Sequence, residues 1–138
     1  MNRKDEKLMV ASTLGGIFRT KDRGKSWETS SQGLPNLNMG KLYLDDNNPD
    51  VVYVAPAYIN VPGGIQKSSD GGKTWTAKNK GLDAPEAMWI AGDPANPATL
   101  FTIIWSNGIY RSTNNGEDWE KVSAGLPGLN GYCVVRGD

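Results

Sequence analysis

The sequence predicts an all-β fold built from a repeated four-stranded sheet. Three observations carry that prediction. Glycine and proline, 17 and 8 of 138 residues, are spread along the whole chain, which disfavours long helices and favours short strands joined by tight turns. Short runs rich in β-branched and aromatic residues end at Asn, Asp, Gly or Pro. One eight-residue stretch also occurs three times, as "TKDRGKSW" (20–27), "SSDGGKTW" (68–75) and "STNNGEDW" (112–119).

The repeat extends beyond that stretch. Trp27, Trp75 and Trp119 stand 48 and 44 residues apart, an Ile lies ten residues before each (Ile17, Ile65, Ile109), and a Gly-Leu begins six after each (Gly33, Gly81, Gly125). A period of about 45 residues marks a repeat architecture.

In the first unit "KLMVAS", "GIFRT" and "SWETS" read as strands. The second gives four, "MGKLYLD", "VVYVAPA", "GIQKSS" and "TWTAKN", and the third gives "AMWIAGD", "TLFTIIW", "GIYRST" and "WEKVSA". Asn47 to Asp50 and Ala95 to Ala98 read as turns, with Pro49 and Pro97 placed where no ladder donor is needed. Four short strands per repeat suggest one propeller blade.

These residues resemble the Asp-box, or BNR, repeat family, whose pattern is Ser/Thr-x-Asp-x-Gly-x-x-Trp at the turn between the third and fourth strands of a propeller blade. The resemblance spans nearly the whole chain. Such repeats occur in sialidases, xyloglucan-cleaving hydrolases, sortilin-like receptors and photosystem assembly factors, so the resemblance implies a β-propeller and leaves the activity open.

Comparing the three copies separates structure from chemistry. The acidic position holds Asp22, Asp70 and Asn114, and two residues later Gly24, Gly72 and Gly116 agree. Asn keeps the side-chain acceptor and loses the charge, which a turn tolerates and a metal ligand or general acid does not. The shared glycine supplies a positive φ. Trp27, Trp75 and Trp119 are expected to pack against the sheet beneath the turn, each removing roughly 150–250 Å² from water, at most about 4–6 kcal/mol.

The strand count sets an expectation for assembly. The first unit lacks a first strand, and residues 132–138, "YCVVRGD", match one, since Asp138 aligns with Asp93 and Asp45. The division is then a single propeller half over residues 1–138, with blade 1 from 1–33 completed by 132–138, blade 2 from 34–82 and blade 3 from 83–127. Propellers typically have four to eight blades. The expectation is a homodimer making a six-bladed ring, with the terminal strand exchanged between chains; the alternative is a piece of a longer propeller.

Composition excludes several functions. Lys+Arg and Asp+Glu are both 15, so no net field attracts nucleic acid or an anionic membrane. The chain has no histidine and one cysteine, Cys133, which removes the usual zinc sets, any His-based triad and an internal disulfide. No cofactor and no metal site are expected. No signal-peptide or membrane-length apolar run is present, so the chain taken whole reads as cytoplasmic.

Glycoside hydrolysis needs two carboxylates flanking a cleft. The xyloglucanase resemblance implies a catalytic Asp just before the G-G-x-Y-R strand, yet "ASTLGGIFR" has Thr13 there, and the Arg-Ile-Pro element of sialidases is absent. Arg19, Lys67 and Arg111 share one repeated position, which reads as scaffold. Asp45, Asp93 and Asp138 end first strands, where a turn explains them. Asp46, Asp50, Asp83 and Glu86 are left without a partner the sequence identifies.

The reading is therefore a non-catalytic binding or scaffold module for a glycan or a protein, with a glycosidase assembled across the dimer as the alternative. A purely architectural propeller without a ligand is a third reading. Candidate binding residues are Tyr58, in the inserted loop "PAYINVPGG", Trp89 on a first strand, and Trp105 after a second strand. Inter-blade packing is the competing role for Trp89.

Overall fold

A computed structural model describes residues 7–58, 60–128 and 131. Among them are eleven strands and no helix. The first sheet holds β1 (Met9–Thr13), β2 (Gly16–Thr20) and β3 (Glu28–Thr29) in that order. The second holds β4 (Met39–Leu44), β5 (Val52–Pro56), β6 (Gln66–Ser68) and β7 (Thr76–Ala77), and the third holds β8 (Ala87–Asp93), β9 (Asn96–Ile104), β10 (Gly108–Ser112) and β11 (Glu120–Lys121). All pairings between these strands are antiparallel meanders, as short connections allow.

The sheets follow the three sequence units. The expected first strand over 132–138, its exchange between chains, and Cys133 lie outside the described residues. One expected turn is shifted: β9 begins at Asn96, so Pro97 belongs to a strand. The ladder passes from Asp93↔Asn96 to Gly92↔Leu100 across an irregularity, which leaves residues 97–99 outside the paired register. Pro97 thus sits where no donor is required.

Two cores lie between sheets. Ile17, Met39, Val52, Val54 and Trp75 form one, joining the first and second sheets. Tyr53, Ala55, Ile65, Ala87, Ile90, Leu100, Ile104, Tyr110 and Trp119 form the other, joining the second and third. Alternate residues of β5 face opposite cores, with Val52 and Val54 towards the first and Tyr53 and Ala55 towards the second. A central strand buried on both faces reads as a continuous apolar run, which is what "VVYVA" is. No helix among the described residues is long and apolar enough to cross a membrane.

Candidate functional site

Each box is a closed turn with the same bonds. The hydroxyls of Thr20, Ser68 and Ser112 accept from the backbone N–H of Gly24, Gly72 and Gly116 at 3.0, 2.8 and 2.9 Å. They donate to Asp22 Oδ1, Asp70 Oδ1 and Asn114 Oδ1 at 2.6, 2.7 and 2.9 Å. That oxygen also accepts from the N–H four residues on, of Ser26, Thr74 or Asp118. The expected positive φ is present at Gly24, Gly72 and Gly116 (83°, 81°, 83°), and the preceding Arg23, Gly71 and Asn115 also have positive φ (63°, 70°, 61°). Sequence gave no signal for that second residue in the first copy, where an arginine occupies it.

The carboxylates are fully engaged in these turns. Hydrogen bonds from the Ser26 and Thr20 hydroxyls and the Ser26 N–H hold Asp22 well below the usual carboxylate range. Burial pushes Asp70 the other way, but bonds from Thr74, Ser68 and Lys73 outweigh it and hold it well below as well. In the third copy Asn114 Nδ2 donates to Asp118 Oδ2 at 2.9 Å, where in the others the hydroxyl of Ser26 or Thr74 donates to the Asp. Donor and acceptor have changed places, so Asn114 goes with Asp118.

The tryptophans act between sheets. Trp75 and Trp119 are 3% and 5% exposed, while Trp27 is 44% exposed. Trp75 Nε1 donates to Ser30 O at 2.6 Å and Trp119 Nε1 to Lys78 O at 2.8 Å, in each case a carbonyl of the preceding sheet's unit. Their backbone N–H groups donate to Gln32 O and Lys80 O. The expectation of burial therefore holds for two copies and fails for Trp27, because no sheet among the described residues precedes the first.

The repeated basic position belongs to the same junction. Arg19 Nη1 donates to Gly71 O at 3.3 Å, and Lys67 Nζ to Asn115 O at 3.4 Å. Both reach the box of the following sheet. Arg111 pairs with Glu120 at 2.6 Å, as Arg19 does with Glu28, but reaches no box among the described residues.

Of the binding candidates, Tyr58 lines a cavity of about 360 Å³. Ser12 and Thr13 from the end of β1, Leu14 from the turn to β2, Asn38 to Lys41 at the start of β4, and Ala57 complete the lining. Tyr58 and Leu14 are 58% and 84% exposed, and Leu37, also exposed, lies beside Gly16, which pairs with the lining residue Thr13. Among the described residues the lining holds hydroxyl, amide and ammonium groups and no carboxylate. Trp89, on β8 and half-buried, is outside the lining but adjoins it, with Nζ of the lining residue Lys41 5.2 Å from its ring centroid. Trp105 is half-buried in the turn after β9 and is already engaged in an interaction.

Asp45, Asp93 and Asp83 are placed in structural roles. Asp45 Oδ1 accepts from the N–H groups of Asn47 and Asn48, and Asp93 Oδ1 from those of Ala95 and Asn96. Asp83 accepts from the Tyr110 hydroxyl, and burial with that partner pushes Tyr110 up to about 12. Among the described residues no three His, Cys, Asp or Glu side chains cluster as metal ligands do. Sequence reasoning missed Lys41 and Asn38, whose only signal is their place at the start of a first strand beside the inserted loop.

Comparison with known proteins gives the following. A family model described as BNR/Asp-box repeat matches residues 66–77. No curated protein matches the chain. The chain is similar in structure to the GH74 xyloglucanase from Xanthomonas campestris, with 20% identity and a TM-score of 0.72 over 90% of this chain and 20% of that one. It is also similar to a GH74 enzyme from Niastella koreensis, with 22% identity and a TM-score of 0.67 over 94% and 22%. A third similar structure is YCF48 bound to D1 peptide, with 19% identity and a TM-score of 0.62 over 84% and 37%. The chain spans about a fifth of the GH74 structures. At such identities the likeness establishes a β-propeller-like fold.

Proposed function

We propose that this run of Asp-box repeats on a β-propeller-like fold is a non-catalytic binding module, and that its ligand is a protein segment held at the Tyr58 cavity. The observation that carries the reading is the company Tyr58 keeps. Exposed Leu14 lines the cavity with it, exposed Leu37 lies beside Gly16 next to the same turn, and Ser12, Thr13, Asn38 and Lys41 add polar groups to the lining. An apolar patch rimmed by polar groups suits a peptide with one or two apolar anchors. YCF48, of similar fold, is bound to a D1 peptide in its structure.

A glycan is the second reading, favoured by the flat Tyr58 ring beside hydroxyl and amide groups. The GH74 likeness rests on fold, and the described lining of the cavity offers no carboxylate pair of the kind hydrolysis needs.

Assembly is part of the proposal. Two copies of three sheets make six, within the usual range for a propeller ring. β1 forms one edge of its sheet, the place that β4 and β8 cover in the other two. Residues 132–138 of a second copy are the strand assigned to it.

The test applies the wild-type chain and Tyr58→Ala to an immobilised peptide library and to a glycan array, with thermal melts of both. A peptide ligand lost in Tyr58→Ala at unchanged melting temperature is expected. Retention of every ligand by Tyr58→Ala, or no ligand on either surface, overturns the site.

A further inference from the structure

The junction between sheets is made of two halves, and the chain contains it twice complete. The inserting half is a box with its Trp. The receiving half is two carbonyls followed by a glycine: Ser30, Gln32 and Gly33 take Trp75, and Lys78, Lys80 and Gly81 take Trp119. The glycines are required by contact, because a Cβ on Gly33 would lie 2.3 Å from Trp75 O and one on Gly81 would lie 2.1 Å from Trp119 O.

Among the described residues each half also occurs once without its partner. On the first sheet, Trp27 is 44% exposed, and a Cβ on Gly24 would meet only the Trp27 ring, whereas one on Gly72 would meet Ser30 and Val10 of the preceding sheet's unit and one on Gly116 would meet Tyr53 and Lys78. On the third sheet, Val122, Ala124 and Gly125 hold the places of the receiving set, and Gly125 has the backbone of the set, φ 86° against 91° and 92°. A Cβ there would find no described residue within 4 Å. Ile109 and Leu126 are more exposed than their equivalents Ile17, Ile65, Leu34 and Leu82.

We infer that Trp27 of one chain inserts into the Val122–Ala124–Gly125 set of a second copy, donating its Nε1 hydrogen to Val122 O, so that two copies close head to tail through two such junctions. The occupant is a second copy because the chain itself supplies both complementary surfaces, built to a pattern whose complete form it already displays. In the same junction Arg111 stands where Arg19 and Lys67 reach the following box, and its counterpart acceptor is Arg23 O of the other chain. A heterologous contact of this kind makes a closed ring when the rotation closes. The inference rests on the two-chain ring proposed above and assigns the side chains that hold it.

The test is molar mass by light scattering over a wide concentration range for the wild type, Trp27→Ala and Gly125→Asn. Asn adopts positive φ more readily than other side-chain-bearing residues, and no described residue of the same chain lies within 4 Å of the added Cβ, so this variant tests the contact if Trp27→Ala fails to fold. The expected result is twice 14.9 kDa for the wild type and the single-chain mass for each variant, with an unchanged circular dichroism spectrum. A wild-type dimer whose variants pair equally well overturns the Trp27 junction and leaves the two-chain ring standing. A wild type that is monomeric throughout overturns both.

Discussion

The indole of Trp75 donates to the carbonyl of Ser30 at 2.6 Å, across 45 residues of sequence and from one sheet to the next. This bond, repeated between Trp119 and Lys78, shows where cohesion lies. The sheets are held by side chains inserted between them, since both apolar clusters join residues of successive sheets.

Replacing Trp75 with Ala therefore removes both a core side chain and a buried hydrogen bond. The expected loss is about 3–5 kcal/mol, measured by urea denaturation. Trp75→Phe restores most of the apolar area but not the N–H, and should cost less. A Trp75→Ala chain as stable as the wild type would mean that the sheets do not depend on this contact.

Gly81→Ala tests the receiving side. The backbone there has φ 92°, and the added Cβ would lie 2.1 Å from Trp119 O. The left-handed conformation alone costs about 1–2 kcal/mol, and relieving the contact must push the third sheet away from the second. The loss should exceed the conformational cost, and the near-ultraviolet circular dichroism and fluorescence signals that report the Trp119 environment should change with it. A purely conformational loss with an unchanged Trp119 signal would rule out the contact.

What the sequence made legible follows from how far each interaction reaches. The box turn was legible because its bonds close within four residues, from Thr20 to Gly24 and from Asp22 to Ser26. The strands of the third sheet were legible for a similar reason: "AMWIAGD" is β8, and "GIYRST" contains β10. The partner of each Trp was not legible, because Ser30 and Lys78 are 45 and 41 residues away. Trp27 has the same local pattern as Trp75 and a different environment, which only the arrangement of sheets decides. Gly33 and Gly81 were visible as a repeated Gly-Leu, but their purpose lies in a contact with another unit. The Tyr58 loop was visible as an insertion, whereas Ser12, Asn38 and Lys41 come to it from two other segments through sheet packing.

The pairing of Asn114 with Asp118 predicts a dependence between two positions. Asn114→Asp sets two carboxylates where an amide now donates at 2.9 Å, so it should lower the denaturation midpoint at neutral pH. Adding Asp118→Ser recreates the arrangement of Asp22 with Ser26 and should recover much of the loss. A double-mutant cycle measures the coupling directly. Independent, additive effects would show that the exchange of donor and acceptor is incidental.

The box carboxylates also predict how acid acts on the fold. Asp22 is held well below its ordinary value by bonds from Ser26 and Thr20, and Asp70, despite the upward push of burial, by bonds from Thr74, Ser68 and Lys73. In the unfolded chain both return to about 3.9. Below roughly pH 5 the unfolded state thus binds protons that the folded state still refuses, so protonation favours unfolding. The stabilisation is complete above the unfolded value and declines as pH falls through 4 towards the depressed folded values. Asn114 has no carboxylate to protonate and adds nothing to this slope. The Asp22→Asn, Asp70→Asn double variant should therefore be modestly less stable at pH 7 and lose less on acidification, so that its denaturation midpoint converges on that of the wild type between pH 4 and pH 2 when measured at fixed ionic strength. Parallel curves over that range would place the acid sensitivity in other carboxylates.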